Sequence, residues 1–175
     1  MMTERILMAG SGGQGVILIG KLLATVAVDS VPHVTFFPAY GAEVRGGTSN
    51  CQLVFSEKEI ASPVSEAFDS MIILNRESAK RYAEQMQACR LCVVNVSLCD
   101  PESLERNAVG VPATETANTL GDGRVANFIM LGAYLAHRPV VPVAAVREAI
   151  RTFFMPKGRK LVDLNLEALR LGMEA

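Results

Sequence analysis

A cluster of glycines between two apolar stretches constrains the fold of this chain more than any other feature. Residues 6–9 are apolar, residues 10–15 read Gly-Ser-Gly-Gly-Gln-Gly, and residues 16–28 are mostly apolar and of helical length. A short apolar run bounded by glycine favours a strand, and the longer stretch favours a helix. The chain therefore opens with a strand, a glycine loop and a helix.

The same signals continue along the chain and predict further strands and helices. Runs of β-branched or apolar residues between turn residues predict strands, whereas apolar residues spaced three and four apart predict helices. The run at 91–96 is almost continuously apolar, which is typical of an interior strand. The predicted strands are 34–37, 52–55, 71–74, 91–96 and 109–111, and the predicted helices are 76–88, 114–119, 125–136, 142–154 and 164–171. Pro142 suits the first turn of its helix.

Alternating strands and helices predict an α/β fold, with helices on both faces of a mostly parallel sheet. A chain of 175 residues buries about 70% of its extended surface, and it contains no repeat or linker, so we expect one domain over residues 1–175. Half of the residues are hydrophobic and 20% are charged. This composition excludes disorder and indicates a large core or contact with another chain.

Charge and hydropathy disfavour several kinds of partner. The 17 Lys and Arg residues nearly balance the 18 Asp and Glu residues. This balance provides no basic surface for nucleic acid or an anionic membrane. The apolar stretch at 16–28 is shorter than the ~20 residues of a membrane span, and the first residues lack the features of a signal peptide. We expect a soluble, cytoplasmic protein with no nucleic-acid or membrane partner.

The cysteines and histidines do not form a recognisable reactive set. Cys89 and Cys92 have C-x-x-C spacing, but no second pair or nearby histidine completes a metal site. We therefore predict buried, reduced thiols and no metal. His33 and His137 are isolated in the sequence. The absence of a catalytic set favours a subunit or a binding domain.

The glycine loop has two interpretations. Gly10, Gly12 and Gly15 have the G-x-G-x-x-G spacing of a phosphate cradle at the start of a helix. The same glycines would also permit tight packing of the strand against the helix. A dinucleotide-binding protein is the less favoured alternative, because its ribose-binding acid should end the second strand, and Glu43 lies deeper in a loop. A P-loop is excluded because Leu22 follows Lys21 where Ser or Thr is required.

The loop between the second and third strands concentrates polar and glycine residues. Arg45 is suited to bidentate contact with phosphate or carboxylate, and Gly46 and Gly47 allow close approach of a ligand or another backbone. Alternatively, Arg45 and Glu43 pair only with each other. The loop alone does not distinguish these interpretations.

Four segments together carry a family resemblance. Residues 5–16 and 37–51, supported by 127–133 and 165–169, resemble the gamma subunit of 2-oxoacid:ferredoxin oxidoreductases, especially the 2-oxoglutarate and branched-chain 2-oxoacid types. The resemblance covers nearly the whole chain. It implies a three-layer α/β/α sandwich that assembles with alpha and beta subunits, and often with a delta subunit.

The resemblance also implies which subunits of the complex hold the cofactors. Thiamine diphosphate and iron-sulfur clusters are expected on partner subunits, with ferredoxin as the electron acceptor of the complex and coenzyme A as the acyl acceptor. The isolated chain is expected to be inactive, and coenzyme A is the one cofactor that it could contact. A homo-oligomeric interaction module is a further alternative. The candidate cofactor-binding residues are Gly10, Gly12, Gly13, Gln14, Gly15, Tyr40, Glu43, Arg45, Gly46, Gly47, Thr48 and Asn50.

Overall fold

The computed structural model describes residues 3–40, 47–101, 104 and 106–175. Its strands are β1 (Thr3–Ser11), β2 (His33–Tyr40), β3 (Thr48–Ser56), β4 (Ser70–Ile73), β5 (Leu91–Asn95) and β6 (Ala108–Val111). Its helices are α1 (Val16–Ala27), α2 (Arg76–Arg81), α3 (Ala83–Ala88), α4 (Ala113–Thr119), α5 (Ala126–His137), α6 (Val143–Phe154) and α7 (Arg159–Met173).

The strands form one mixed sheet in the order β2-β3-β1-β4-β5-β6. Strands β1, β4, β5 and β6 pair in parallel, whereas β3 is antiparallel to both β1 and β2. Five strands therefore point the same way and β3 is reversed. The predicted mostly parallel sheet is confirmed, and β5 is an interior strand next to the edge strand β6.

Helices cover both faces of the sheet. Ile6 and Met8 of β1 point into a core shared with α1, α4, α5, α6 and α7. The alternate residues Leu7 and Ala9 point into a second core with residues of α3 and β5. The opposite orientation of successive side chains on a strand produces this division. The structure is therefore a three-layer α/β/α sandwich, thicker on the first face.

Several helix boundaries differ from the prediction. The helix predicted at 76–88 is divided into α2 and α3 at Tyr82, whose backbone (φ −111°, ψ 23°) is not helical. Helix α7 begins at Arg159 rather than at 164, because Arg159 and Lys160 are exposed residues that give no apolar signal, and the buried face of the helix already starts at Val162. Pro142 lies just before α6 as its N-cap instead of inside the first turn.

Helix α5 lies at the centre of the thicker layer. Nine of its twelve residues are buried, because the sheet covers one side and α7 covers the other. None of the helices in the described part of the chain combines the length and apolar character needed to cross a membrane.

Candidate functional site

A crevice lies next to the carboxyl ends of the neighbouring strands β1 and β4. From β1 the chain passes to α1 on the thicker face, and from β4 it passes to α2 on the other face. In open α/β sheets, ligands bind where successive connections leave toward opposite faces in this way. The glycine loop therefore lies at the carboxyl ends of the strands, where this class of sheet is expected to bind ligands.

Two glycines of the loop have backbone conformations that other residues rarely adopt. Gly13 has φ +95° and Gly15 has φ +73°, in the left-handed region that favours glycine. Gly15 is also the N-cap of α1, which has no side-chain cap. The start of α1 therefore presents backbone N–H groups that no capping side chain occupies.

Gly10 serves tight packing. A Cβ atom at this position would lie 2.7 Å from Gln14 Oε1 and 2.9 Å from Val16 Cγ2. The packing interpretation therefore holds at Gly10, while Gly13 has open space around it. The loop is therefore tightly packed at Gly10 and open to a ligand at Gly13.

Side-chain amides fasten the glycine loop across the crevice. Gln14 Oε1 accepts a hydrogen bond from the Ser11 N–H at 2.7 Å, and Gln14 Nε2 donates to the Leu74 carbonyl at 3.5 Å. Asn75 Nδ2 donates to Ser11 Oγ. Asn75 also accepts from the Ser78 N–H at 2.9 Å and so caps α2. The ends of β1 and β4 are thereby linked through polar groups.

Two buried asparagines that the sequence analysis did not select complete this arrangement. Asn95 ends β5 and donates to the Leu74 carbonyl at 3.2 Å and to Thr114 Oγ1 at 2.9 Å. Asn127 in α5 donates to the Gly15 carbonyl at 3.3 Å and accepts from the Phe128 N–H at 2.9 Å. An asparagine within an apolar segment is the sequence signal for such residues, because a buried amide requires partners.

A cleft of about 180 Å³ lies beside these residues. Its borders include Gly13, Gln14, Asn95, Thr114 and Arg124. This volume is below the range of whole small-molecule sites and suits a phosphate-sized group.

Arg124 is the only ionisable side chain among the described residues that border the cleft. Its guanidinium donates to Asp122, and this hydrogen bond lowers the pKa of Asp122 to about 2. The borders therefore offer amides, a hydroxyl and a permanent cation, a set suited to binding rather than to proton transfer.

The structure brings part of the second loop against the glycine loop. The Gly12 N–H donates to the Gly47 carbonyl at 2.9 Å. Thr48 Oγ1 accepts from Arg81 at 3.2 Å, and Asn50 is buried in β3 opposite Ala9. Tyr40 is the last residue of β2. Three further candidates lie outside the described residues: Glu43, Arg45 and Gly46.

The cysteines are free, buried thiols, as predicted. Burial raises the pKa of Cys51 to about 12 and that of Cys99 to about 11. The pKa of Cys89 is lowered, mainly because its thiol forms a hydrogen bond with Cys92. Within the described ranges, no group of three or more histidine, cysteine or acidic side chains is arranged to hold a metal ion.

The fold and the crevice define an α/β sandwich domain with a glycine loop at the carboxyl ends of its parallel strands. A family model described as pyruvate ferredoxin/flavodoxin oxidoreductase matches residues 5–175. The chain belongs to this family, and the resemblance noted in its sequence is confirmed.

Relatives of this chain occur in two lengths. Ketoisovalerate oxidoreductase subunit VorA of Methanothermobacter marburgensis is 36% identical over 97% of this chain, which spans only 36% of that relative. The 2-oxoglutarate synthase subunit KorC of the same organism is 32% identical over 99% of this chain and is matched over 96% of its own length. The chain thus corresponds to about a third of VorA and to nearly all of KorC.

Solved structures share the fold. The gamma subunit of a keto/oxoacid ferredoxin oxidoreductase from Geobacter sulfurreducens is 27% identical with a TM-score of 0.78, covering 98% of this chain and 96% of that one. A 2-oxoglutarate:ferredoxin oxidoreductase from Magnetococcus marinus, with 2-oxoglutarate, coenzyme A and succinyl-CoA bound, is 23% identical with a TM-score of 0.89. It matches 99% of this chain and 31% of its own chain. The predicted sandwich is confirmed by these similarities.

Proposed function

We propose that this chain is the gamma subunit of a 2-oxoacid:ferredoxin oxidoreductase that decarboxylates a 2-oxoacid oxidatively to an acyl-CoA. The family match over residues 5–175 carries the proposal, and the near full-length match to KorC supports a separate gamma-type subunit. Residues 1–175 then act as one domain in the cytoplasm. A free-standing dinucleotide-binding protein is not favoured, because the relatives described above are oxidoreductase subunits.

The chain acts in this proposal as a structural and ligand-presenting subunit. Thiamine diphosphate and iron-sulfur clusters belong to the alpha and beta subunits and to a delta subunit where one is present, and ferredoxin accepts the electrons. The binding character of the 180 Å³ cleft supports this assignment of cofactors, because Arg124 is the only ionisable group among the described residues on its border. The isolated chain is therefore inactive.

Coenzyme A is the ligand that the crevice would contact. The uncapped start of α1 and the open turn at Gly13 fit a phosphate group, since backbone N–H groups at a helix start favour an anion. Gly12 and Gln14 would hold the turn in place, and Arg45 in the adjoining loop would pair with phosphate. Coenzyme A, when bound, supplies the thiol that accepts the acyl group. The contribution of this chain is to bind and orient it.

Purification of the tagged chain from its native source tests the proposed function. We expect companion chains in fixed stoichiometry, bound thiamine diphosphate and iron, and reduction of ferredoxin that requires both a 2-oxoacid and coenzyme A. The chain stripped of its companions should show no turnover and bind no thiamine diphosphate. A chain that carries its own redox cofactor and turns over alone contradicts the proposal.

Arg45→Ala tests the coenzyme A role in the assembled complex. Loss of a charge-assisted contact with phosphate should raise the KM for coenzyme A about 10- to 150-fold and leave kcat nearly unchanged, because such contacts contribute about 1.5–3 kcal/mol. Arg159→Ala is the matched control, since its side chain is 87% exposed at the start of α7. An unchanged KM with assembly intact would remove Arg45 from the role.

A further inference from the structure

An apolar groove runs between α1 and α6, away from the crevice. Its volume is about 570 Å³. The apolar residues that line it are Leu18, Leu22 and Val26 of α1 and Ala145, Ala149 and Phe153 of α6. The proposed coenzyme A role uses none of these residues, so the groove requires a separate explanation.

A large aromatic side chain is exposed in this groove. Phe153 lines the groove and is 40% exposed. Contiguous apolar surface of this kind marks an interaction site in soluble proteins. The apolar excess of the sequence is consistent with such a surface.

Phe153 is held in position before any partner arrives. Its ring packs edge-on against Phe154 with centroids 4.9 Å apart, and Phe154 in turn packs against Phe128 in the core at 5.7 Å. Lys157 Nζ lies 4.2 Å from the centroid of the Phe153 ring. A pre-ordered aromatic side chain loses little conformational freedom on binding, which is a property of interface anchors.

The shape of the groove selects a helix as its occupant. Ala145 and Ala149 are one helical turn apart. Their small side chains, together with Thr25 and Thr152, leave a shallow depression in the groove. Helices pack when a ridge of large side chains on one enters such a depression on another. The rim carries Lys21, Asp29 and Glu148, so the occupant is amphipathic, with an apolar ridge flanked by polar residues.

The two lengths of the relatives indicate which polypeptide supplies this helix. In VorA and in the Magnetococcus marinus enzyme, the matching region is about a third of a longer chain. In KorC it is nearly the whole chain. A domain that is covalently joined to its neighbour in some relatives must retain that neighbour by surface contacts when it is a separate chain.

We infer that the groove between α1 and α6 docks an amphipathic helix of a companion subunit of the same oxidoreductase. This inference rests on the proposed function. Docking there would immobilise α1, whose N-cap is Gly15 of the glycine loop. The companion would thus fix the loop proposed to contact coenzyme A.

Two substitutions in the groove test the inference. Phe153→Asp should weaken binding to the companion subcomplex about 30-fold, the loss typical of one anchor residue. Thr152→Arg adds bulk and charge at an exposed groove position without removing a core contact, and should weaken binding in the same direction. Val64→Asp is the control, because Val64 is 47% exposed in the segment that covers the opposite face of the sheet.

A photo-cross-linking residue at position 152 identifies the occupant in the native source. A cross-link to a thiamine- or cluster-bearing companion supports the inference. Assembly with unchanged affinity in both groove variants overturns it while leaving the proposed function intact, as does a cross-link to a second copy of this chain. A wild-type chain that assembles with no such companion overturns both.

Discussion

Gly172→Ala is expected to lower the free energy of unfolding by about 3 kcal/mol, the upper range for inserting a methyl group into a packed interior. A Cβ atom at this position would lie 1.9 Å from the Ile129 carbonyl oxygen and 2.7 Å from the Ile129 carbonyl carbon. Both are backbone atoms of α5, so they cannot rotate away as a side chain can. Helices α5 and α7 would have to separate. Urea unfolding of the purified chain, followed by circular dichroism, measures the change.

Two other glycine substitutions show whether backbone contact is the cause. A Cβ at Gly132 would lie 2.2 Å from the Leu169 carbonyl oxygen, so Gly132→Ala should cost about as much as Gly172→Ala. A Cβ at Gly20 would approach the Cys51 Sγ, a side-chain atom, at 2.4 Å. The Gly20→Ala loss should therefore be smaller, about 1 kcal/mol. Equal losses at all three positions would contradict this explanation.

The contact between α5 and α7 illustrates what the sequence could not predict. The apolar periodicity at 125–136 predicted α5 to within one residue at each end, because a helix buried by its neighbours keeps a strong local pattern. Gly132 and Gly172 carry no local signal of their mutual environment. Their spacing matters only after two helices from distant parts of the chain are packed together. Local patterns therefore predicted the elements and not the closest approach between them.

Part of the candidate site could likewise be predicted from local sequence patterns, and part could not. The glycine loop could be located from sequence, since a strand, glycines and a helix follow one another directly. Asn127 lies 112 residues from its partner Gly15, and no spacing rule connects them. The reversed direction of β3 was likewise not predicted, because an isolated strand pattern has no direction within a sheet.

A second large loss of stability is expected near the amino end of β1, at the other end of the strand from the glycine loop. Glu4 is completely buried there. Arg138 Nε donates to Glu4 Oε2 at 3.1 Å, and Ser70 Oγ donates to Glu4 Oε1 at 2.8 Å. The hydrogen bonds with Glu4 raise the pKa of Arg138, which keeps the guanidinium charged. Arg138→Met should lower the free energy of unfolding by about 3–5 kcal/mol at pH 7, because it leaves a buried carboxylate without its countercharge. Chemical denaturation measures this loss.

The double variant Glu4→Gln/Arg138→Met separates the cost of an unpaired charge from the value of the pair itself. Replacing the carboxylate by a neutral amide removes the buried charge, so the double variant should be more stable than Arg138→Met alone. Tyr134 remains to support the site: burial raises the pKa of Tyr134, so its hydroxyl stays protonated. It can therefore donate to Ser70 Oγ at 3.1 Å, while the Ser70 proton goes to residue 4. A double variant no more stable than Arg138→Met would show that lost packing of the arginine stem, rather than the unpaired charge, causes the destabilisation.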